Sequence, residues 1–163
     1  MAMRSDSSET SDATLRKRAL DLLARREHSR GELARKLAQK GAMPAQVAAV
    51  LDECAAQGLQ SDARFAEALV TSRVRRGQGA LRIRSELAER GVAEALIEAA
   101  LAQAGVDWCA LARDVCRRKY GAEPASDWAE HARRARFLGY RGFDAGVIRE
   151  ALATVAEAAG EQR

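Results

Sequence analysis

Leu87-Ala88-Glu89-Arg90-Gly91 decides the fold, because the chain writes it three times in kind. Leu37-Ala38-Gln39-Lys40-Gly41 precedes it and Leu138-Gly139-Tyr140-Arg141-Gly142 follows, the glycines standing 50 and 51 residues apart. Each glycine has a leucine four positions before it and a Lys or Arg immediately before it. Six positions after it come Val47, Ile97 and Ile148, and ten positions after it Leu51, Leu101 and Leu152. Offsets that differ by four share one helix face. A glycine that follows a basic residue marks a helix C-terminus, where a left-handed residue is common and a cation favours the carbonyl end of the dipole. A repeat of about fifty residues built of helices is the expectation.

Working outward, Ser29-Arg30-Gly31-Glu32 reads as a capping box that opens the helix closed by Gly41, and Pro44 suits the first turn of the next. Upstream, Leu15, Ala19, Leu22 and Leu23 fall on one side of a further helix. The pattern predicts three three-helix modules: 14–27, 30–40 and 44–57; then 62–76, 80–90 and 93–104; then 107–120, 126–140 and 144–158. The domain boundaries follow as a disordered tail over 1–13 and modules over 14–59, 60–105 and 106–158. Asp62 is placed to cap the first helix of module two, with Phe65, Leu69 and Val70 as its inner stripe. Trp108, Leu111, Ala112 and Val115 begin that of module three.

Composition agrees. The chain has 163 residues, of which 36 are alanine and only 2 proline, and 47% are hydrophobic but only 4% aromatic. Strong helix formers dominate and strand formers are scarce. An all-α protein is expected, an elongated tandem array of helix-turn-helix-like repeats in which each module borrows stability from its neighbour. Such an array offers surface to a partner and no deep pocket. Cys54, Cys109 and Cys116 form no Cys-x-x-Cys pair, and neither a secretory segment nor a membrane-spanning run is legible, so a soluble cytoplasmic protein with reduced thiols is expected.

Catalytic equipment is not in view, so no enzyme, cofactor or metal is expected. His28 and His131 lack a partnered nucleophile and read as surface or partly packed imidazoles. Glu86/Glu89 and Glu94/Glu98 read as solvated helix faces, and Cys109 and Cys116 as small core residues. Gly77-Gln78-Gly79 follows a helix and lacks the third glycine of a phosphate loop. The aromatic residues of module three, Trp108, Tyr120, Trp128, Phe137, Tyr140 and Phe143, could form a stacking platform but read better as a dense local core.

Charge is the remaining signal. The chain holds 27 basic and 23 acidic side chains, a net +4, and the excess is localised. Residues 1–13 are net negative. Arg73, Arg75, Arg76, Arg82, Arg84 and Arg90 face only Glu86 and Glu89; Arg113, Arg117, Arg118 and Lys119 face Asp114; Arg133, Arg134, Arg136 and Arg141 face no acid in their stretch. Apart from Arg113, these are the candidate contacts to a polyanion or an acidic protein groove.

On these residues the sequence resembles the RecX family of RecA regulators. Asp62-Ala63-Arg64-Phe65-Ala66, Arg73, Gly79, Arg82-Ile83, Leu87 and Gly91 are similar to its signature in module two. Module one matches through Ser29, Glu32-Leu33, Lys36-Leu37 and Lys40-Gly41, and module three through Phe137-Leu138, Arg141-Gly142-Phe143, Ile148 and Ala151-Leu152. The family usually carries paired acids where Ser61-Asp62 stands. The resemblance covers residues 14–155. It implies a negative regulator that binds the groove of the RecA–DNA filament and damps its extension, ATP hydrolysis, strand exchange and co-protease activity, with non-specific binding to single- or double-stranded DNA in some members. A monomer is expected because the repeat offers no obvious symmetric patch. The competing expectation is a tandem helix-turn-helix-like DNA-binding transcription factor, which predicts sequence preference.

Overall fold

The computed structural model describes residues 11–38 and 41–160, with side chains described through residue 153. Among the described residues there are nine α-helices and no strand: α1 (Asp12–Leu23), α2 (Arg30–Ala38), α3 (Pro44–Ala56), α4 (Asp62–Arg75), α5 (Ala80–Glu89), α6 (Glu94–Gln103), α7 (Trp108–Tyr120), α8 (Trp128–Tyr140) and α9 (Ala145–Gly160). Every helix expected from the repeat is present. Gly41, Gly91 and Gly142 all close their helices at positive φ, +76°, +80° and +90°. The contributions expected of Gln39 and Lys40, and the tail as far as residue 10, lie outside the described residues.

The helix ends differ from expectation where a side chain found a better partner. Helix α1 starts at Asp12, not residue 14, because Ser11 Oγ accepts the Thr14 N–H at 3.2 Å, so the tail expected over 1–13 gives way to helix at its end. It stops at Leu23, not 27, and the next residues are claimed elsewhere: Arg26 C=O is bonded to His28 Nδ1 at 3.0 Å and His28 C=O accepts from Gln60 Nε2 at 3.3 Å. The capping box of α2 is formed in both directions, Glu32 N–H to Ser29 Oγ at 3.1 Å and Ser29 N–H to Glu32 Oε2 at 3.4 Å. Asp62 does not cap its own helix. Ser61 does that, accepting the Arg64 N–H at 3.3 Å, while Asp62 Oδ1 accepts the Arg30 N–H at 2.7 Å and so serves the first turn of α2.

The chain packs as two compact units, residues 11–65 with 90–92, and residues 66–89 with 93–160. The middle module contributes to both, since the division falls inside α4 and at the turn after α5. The core of the first unit is Leu15, Ala19, Leu33, Leu37, Val47, Val50, Leu51 and Cys54, closed over by Leu22 and Leu23. Against it the turn after α5 is fastened. Ser29 Oγ–H donates to Arg90 C=O at 2.6 Å, the Arg90 guanidinium pairs with Glu32, and a Cβ on Gly31 would meet Arg90 O at 2.7 Å. In the second unit Ala112, Val115, Cys116, Leu138, Phe143, Ala151 and Leu152 form one apolar cluster, with Tyr120 and Phe137 edge to face at 5.6 Å beside it. Each buried leucine of these clusters contributes about 1.5–3 kcal/mol relative to an exposed one.

His28 is buried, 2% exposed, and so more fully packed than the surface or partly packed imidazole expected. Lys36 Nζ lies 3.0 Å from its Nε2, and an ammonium can only donate, so Nε2 accepts and Nδ1 carries the proton that bonds Arg26 C=O. Burial holds this imidazole below its ordinary value near 6.5, the charges of Arg26 and Lys36 add to that effect, and the bond to Arg26 C=O and the carboxylate of Glu32 oppose it. The unfolded chain therefore takes up a proton at a pH where the folded chain refuses it. Stability from this site is complete above pH 6.5 and is lost as pH falls through 6.5 towards the depressed folded value. The thermal midpoint of the wild type is expected to fall between pH 7 and pH 5, and His28→Gln to remove that step in a pH series of melts. Glu32 acts in a lower window. Burial raises its pKa, but the Arg26 hydrogen bond and the charges of Arg26 and Arg90 outweigh burial and hold it below 4.5, so its contribution is lost only under stronger acid.

Candidate polyanion-binding surface

One backbone junction inside the second unit brings some of the expected basic residues together. The first turn of α5 leaves its N–H groups free of intrahelical partners, as every helix start does. The turn after α8 supplies two acceptors at this helix start: Gly79 N–H, just before α5, donates to Arg141 C=O at 2.8 Å and Leu81 N–H to Gly142 C=O at 3.0 Å. Contact is backbone to backbone. A Cβ on Gly79 would lie 2.3 Å from Gly142 C and O, and one on Gly142 would lie 2.3 Å from Arg82 Cβ and 2.7 Å from Arg82 N.

That junction gathers arginines that are far apart in sequence. The Arg82 guanidinium donates to Tyr140 C=O at 3.1 Å, and the Arg141 guanidinium donates to Arg76 C=O at 2.8 Å. Arg141 also stands over the Phe137 ring at 5.5 Å, and Lys119 over the same ring at 4.2 Å. Arg75, Arg76 and Arg82 are exposed. Among the described residues none of Arg75, Arg76, Arg82, Lys119, Arg133, Arg136 and Arg141 is ion-paired with a carboxylate. Cations held on aromatic rings and carbonyls keep their full charge for an external anion.

The other expected contacts are engaged within the protein. Arg73 grips Glu86 with both ends of its fork, 2.6 and 2.7 Å, at 18% side-chain exposure. Arg84 does the same with Glu98 at 2.6 and 3.0 Å on the surface. Arg90 is paired with Glu32 in the first unit. Arg117 and Arg118 share Asp114 at 3.0 and 2.6 Å. Arg134 is buried, bonded to Glu130 at 2.5 Å and to Glu123 C=O at 2.8 Å. Glu130 in turn accepts the Ser126 N–H, and this bond, followed by those from Arg134 and the Ser126 hydroxyl, holds its carboxyl down at about 2.

Two aromatic side chains correct the expectation of a uniformly dense core in module three. Trp108, Tyr120, Phe137 and Phe143 do pack, but Trp128 and Tyr140 are each 83% exposed. Helical period carried the signal: Arg134 and Leu138 are the buried positions of α8, and Trp128 and Tyr140 fall outside that face. Cys116 packs in a core cluster as expected and Cys54 is buried too, whereas Cys109 is only half-buried and lies outside the core. Burial pushes the thiols of Cys54 and Cys116 up, which suits them to the core. Among the described residues no single helix is long and apolar enough to cross a membrane.

Among the described residues, nine helices in three like-built triples define an all-helical repeat protein of tandem three-helix modules. Residues 16–54, 61–101 and 106–152 match the models for RecX, first, second and third three-helix domain, in that order. The chain is 50% identical over 143 residues to the regulatory protein RecX of Halorhodospira halophila, covering 88% of this chain and 89% of that one. It is 47% identical over 144 residues to that of Chromohalobacter salexigens, covering 88% and 94%. In fold it is similar to the crystal structure of RecX from Lactobacillus salivarius, with a TM-score of 0.77 at 17% identity over 89% of this chain and 96% of that one. The chain belongs to the RecX family of regulatory proteins.

Proposed function

We propose that this protein is a negative regulator of the RecA recombinase. It binds the groove of the RecA–DNA filament and inhibits filament extension, ATP hydrolysis, strand exchange and co-protease activity, and so modulates homologous recombination, DNA repair and the SOS response. It does so in the cytoplasm by binding, as a monomer, without catalysing a reaction. The observation that carries this reading is the junction of α5 with the turn after α8, which presents Arg75, Arg76, Arg82 and Arg141 as cations with no carboxylate partner among the described residues. A filament offers a repeating acidic surface, and several contacts of modest strength made to one polymer combine into high avidity. Membership of a family whose members are named regulatory proteins supports the same reading.

The test is ATP hydrolysis by RecA on single-stranded DNA, with the protein added in increasing amounts before and after filament assembly. Hydrolysis is expected to fall steeply, and more so when the protein is present during extension. Undiminished hydrolysis at saturating protein would overturn the proposal.

A further inference from the structure

The chain makes one kind of contact twice, and one part of it is left over. In each case the turn that follows the second helix of a module rests on the start of the second helix of the module before. The turn after α5 lies on α2: Ser29 Oγ–H donates to Arg90 C=O at 2.6 Å, and a Cβ on Gly31 would stand 2.7 Å from Arg90 O. The turn after α8 lies on α5: Gly79 and Leu81 N–H donate to Arg141 and Gly142 C=O, and a Cβ on Gly79 would stand 2.3 Å from Gly142 C and O. Both contacts set carbonyls at one helix end against the start of another helix, where spare donors and the positive end of the dipole lie. Both place a glycine on the helix that receives the turn.

The turn after α2 belongs to the same series but has no module before it to rest on. Gly41 takes the conformation of Gly91 and Gly142, with φ +76°, yet among the described residues nothing lies within 4 Å of where its Cβ would be. Two residues on, Met43 is 65% exposed. Met43 is the N-cap of α3, where a Ser, Thr or Asp side chain would bond the first turn, and its own side chain makes no such bond. Asp144, at the same place before α9, does that work and accepts the Val147 N–H at 2.9 Å. Met43 therefore leaves α3 short of a cap and stands in solvent.

We infer that the turn over residues 41–43 is an interaction surface that receives the N-terminus of a helix from a partner protein, with Met43 as its apolar anchor. The partner helix is of the kind that the two counterpart turns already receive, with spare N–H groups in its first turn and a glycine at its N-cap or second position. A second copy of this chain fits less well. Helix α8, the second helix of module three, has a Cβ at both of those positions, Asp127 and Ala129. The identity of the partner rests on the regulator reading, in which it is a subunit of the RecA filament. The turn adds to the arginine junction a contact that needs no charge, and two contacts made to one polymer combine.

Met43→Ser separates a partner contact from a structural role, because the two predict opposite signs. Serine is the better N-cap, so the thermal midpoint of the full-length protein is expected to rise by a few degrees. The concentration needed for half-maximal inhibition of RecA-dependent ATP hydrolysis is nevertheless expected to rise about tenfold. Met43→Leu, which keeps the apolar bulk, is expected to inhibit like the wild type. Gly41→Asn tolerates the left-handed conformation and has room for its side chain, so it is expected to stay folded while keeping the partner's backbone away and weakening inhibition comparably. Wild-type inhibition by either Met43→Ser or Gly41→Asn would overturn the inference and leave the regulator reading standing. Self-association of the free protein in sedimentation, abolished by Met43→Ser, would assign the turn to a second copy and overturn it as well. If the wild type itself leaves hydrolysis undiminished, the regulator reading falls, and the assignment of this turn falls with it.

Discussion

Gly142→Ala is expected to destabilise the second unit by about 3 kcal/mol, and Gly41→Ala the first by only about 1 kcal/mol, in denaturant titrations of the full-length protein. Both glycines close the second helix of their module at positive φ, so both substitutions carry the left-handed penalty. They differ in what a Cβ would touch. At Gly41 nothing lies within 4 Å, whereas at Gly142 the new carbon would lie 2.3 Å from Arg82 Cβ and 2.7 Å from Arg82 N. A flexible side chain could swing away, but helix backbone cannot. The turn would have to part from α5, and the bond from Leu81 N–H to Gly142 C=O would go with it. Gly79→Ala isolates the clash, because Gly79 is not at positive φ and yet faces Gly142 C and O at 2.3 Å. It should cost about 2 kcal/mol, between the other two. Equal losses at Gly41 and Gly142 would show that the junction contributes nothing beyond backbone strain.

The helices were legible because alternatives were poor. Leu37, Leu87 and Leu138, with the glycines after them, repeat the same physical need at each helix end, and all three leucines are buried. What the sequence hid was partner choice among polar groups. Ser61 and Asp62 are both competent caps, and only the approach of the α2 N-terminus assigns Asp62 to Arg30 N–H and leaves the capping of α4 to Ser61. His28 has no apolar neighbours in sequence to announce its burial; Lys36, Gln60 and Arg26 converge on it from three segments. In the basic stretches, net charge counted Arg73 and Arg134 equally with Arg75 and Arg133. Yet Glu86, thirteen residues after Arg73, neutralises one, and the period of α8 turns Arg134 inward. Trp128 and Tyr140 were legible in principle from that same period, but aromatic residues in an apolar pattern are expected in a core first.

This sorting of arginines gives the largest functional effect. Replacing Arg75, Arg76 and Arg82 together with alanine is expected to raise the concentration needed for half-maximal inhibition of RecA by at least tenfold, with helicity and thermal midpoint near wild type. Among the described residues none of the three is ion-paired with a carboxylate, and exposed substitutions of this kind usually change stability by no more than about 0.5 kcal/mol each. The measured inhibition should also become less sensitive to salt, since fewer charges are screened. Arg73→Ala is the contrasting control. It leaves Glu86 half-buried without its bidentate partner and should cost about 1–3 kcal/mol of stability while leaving inhibition intact at temperatures where the variant is folded. The opposite pattern, inhibition lost in Arg73→Ala and kept in the triple variant, would place the working charge away from the junction. It would then fall to the paired arginines, where an anion would first have to displace Glu86 or Glu98.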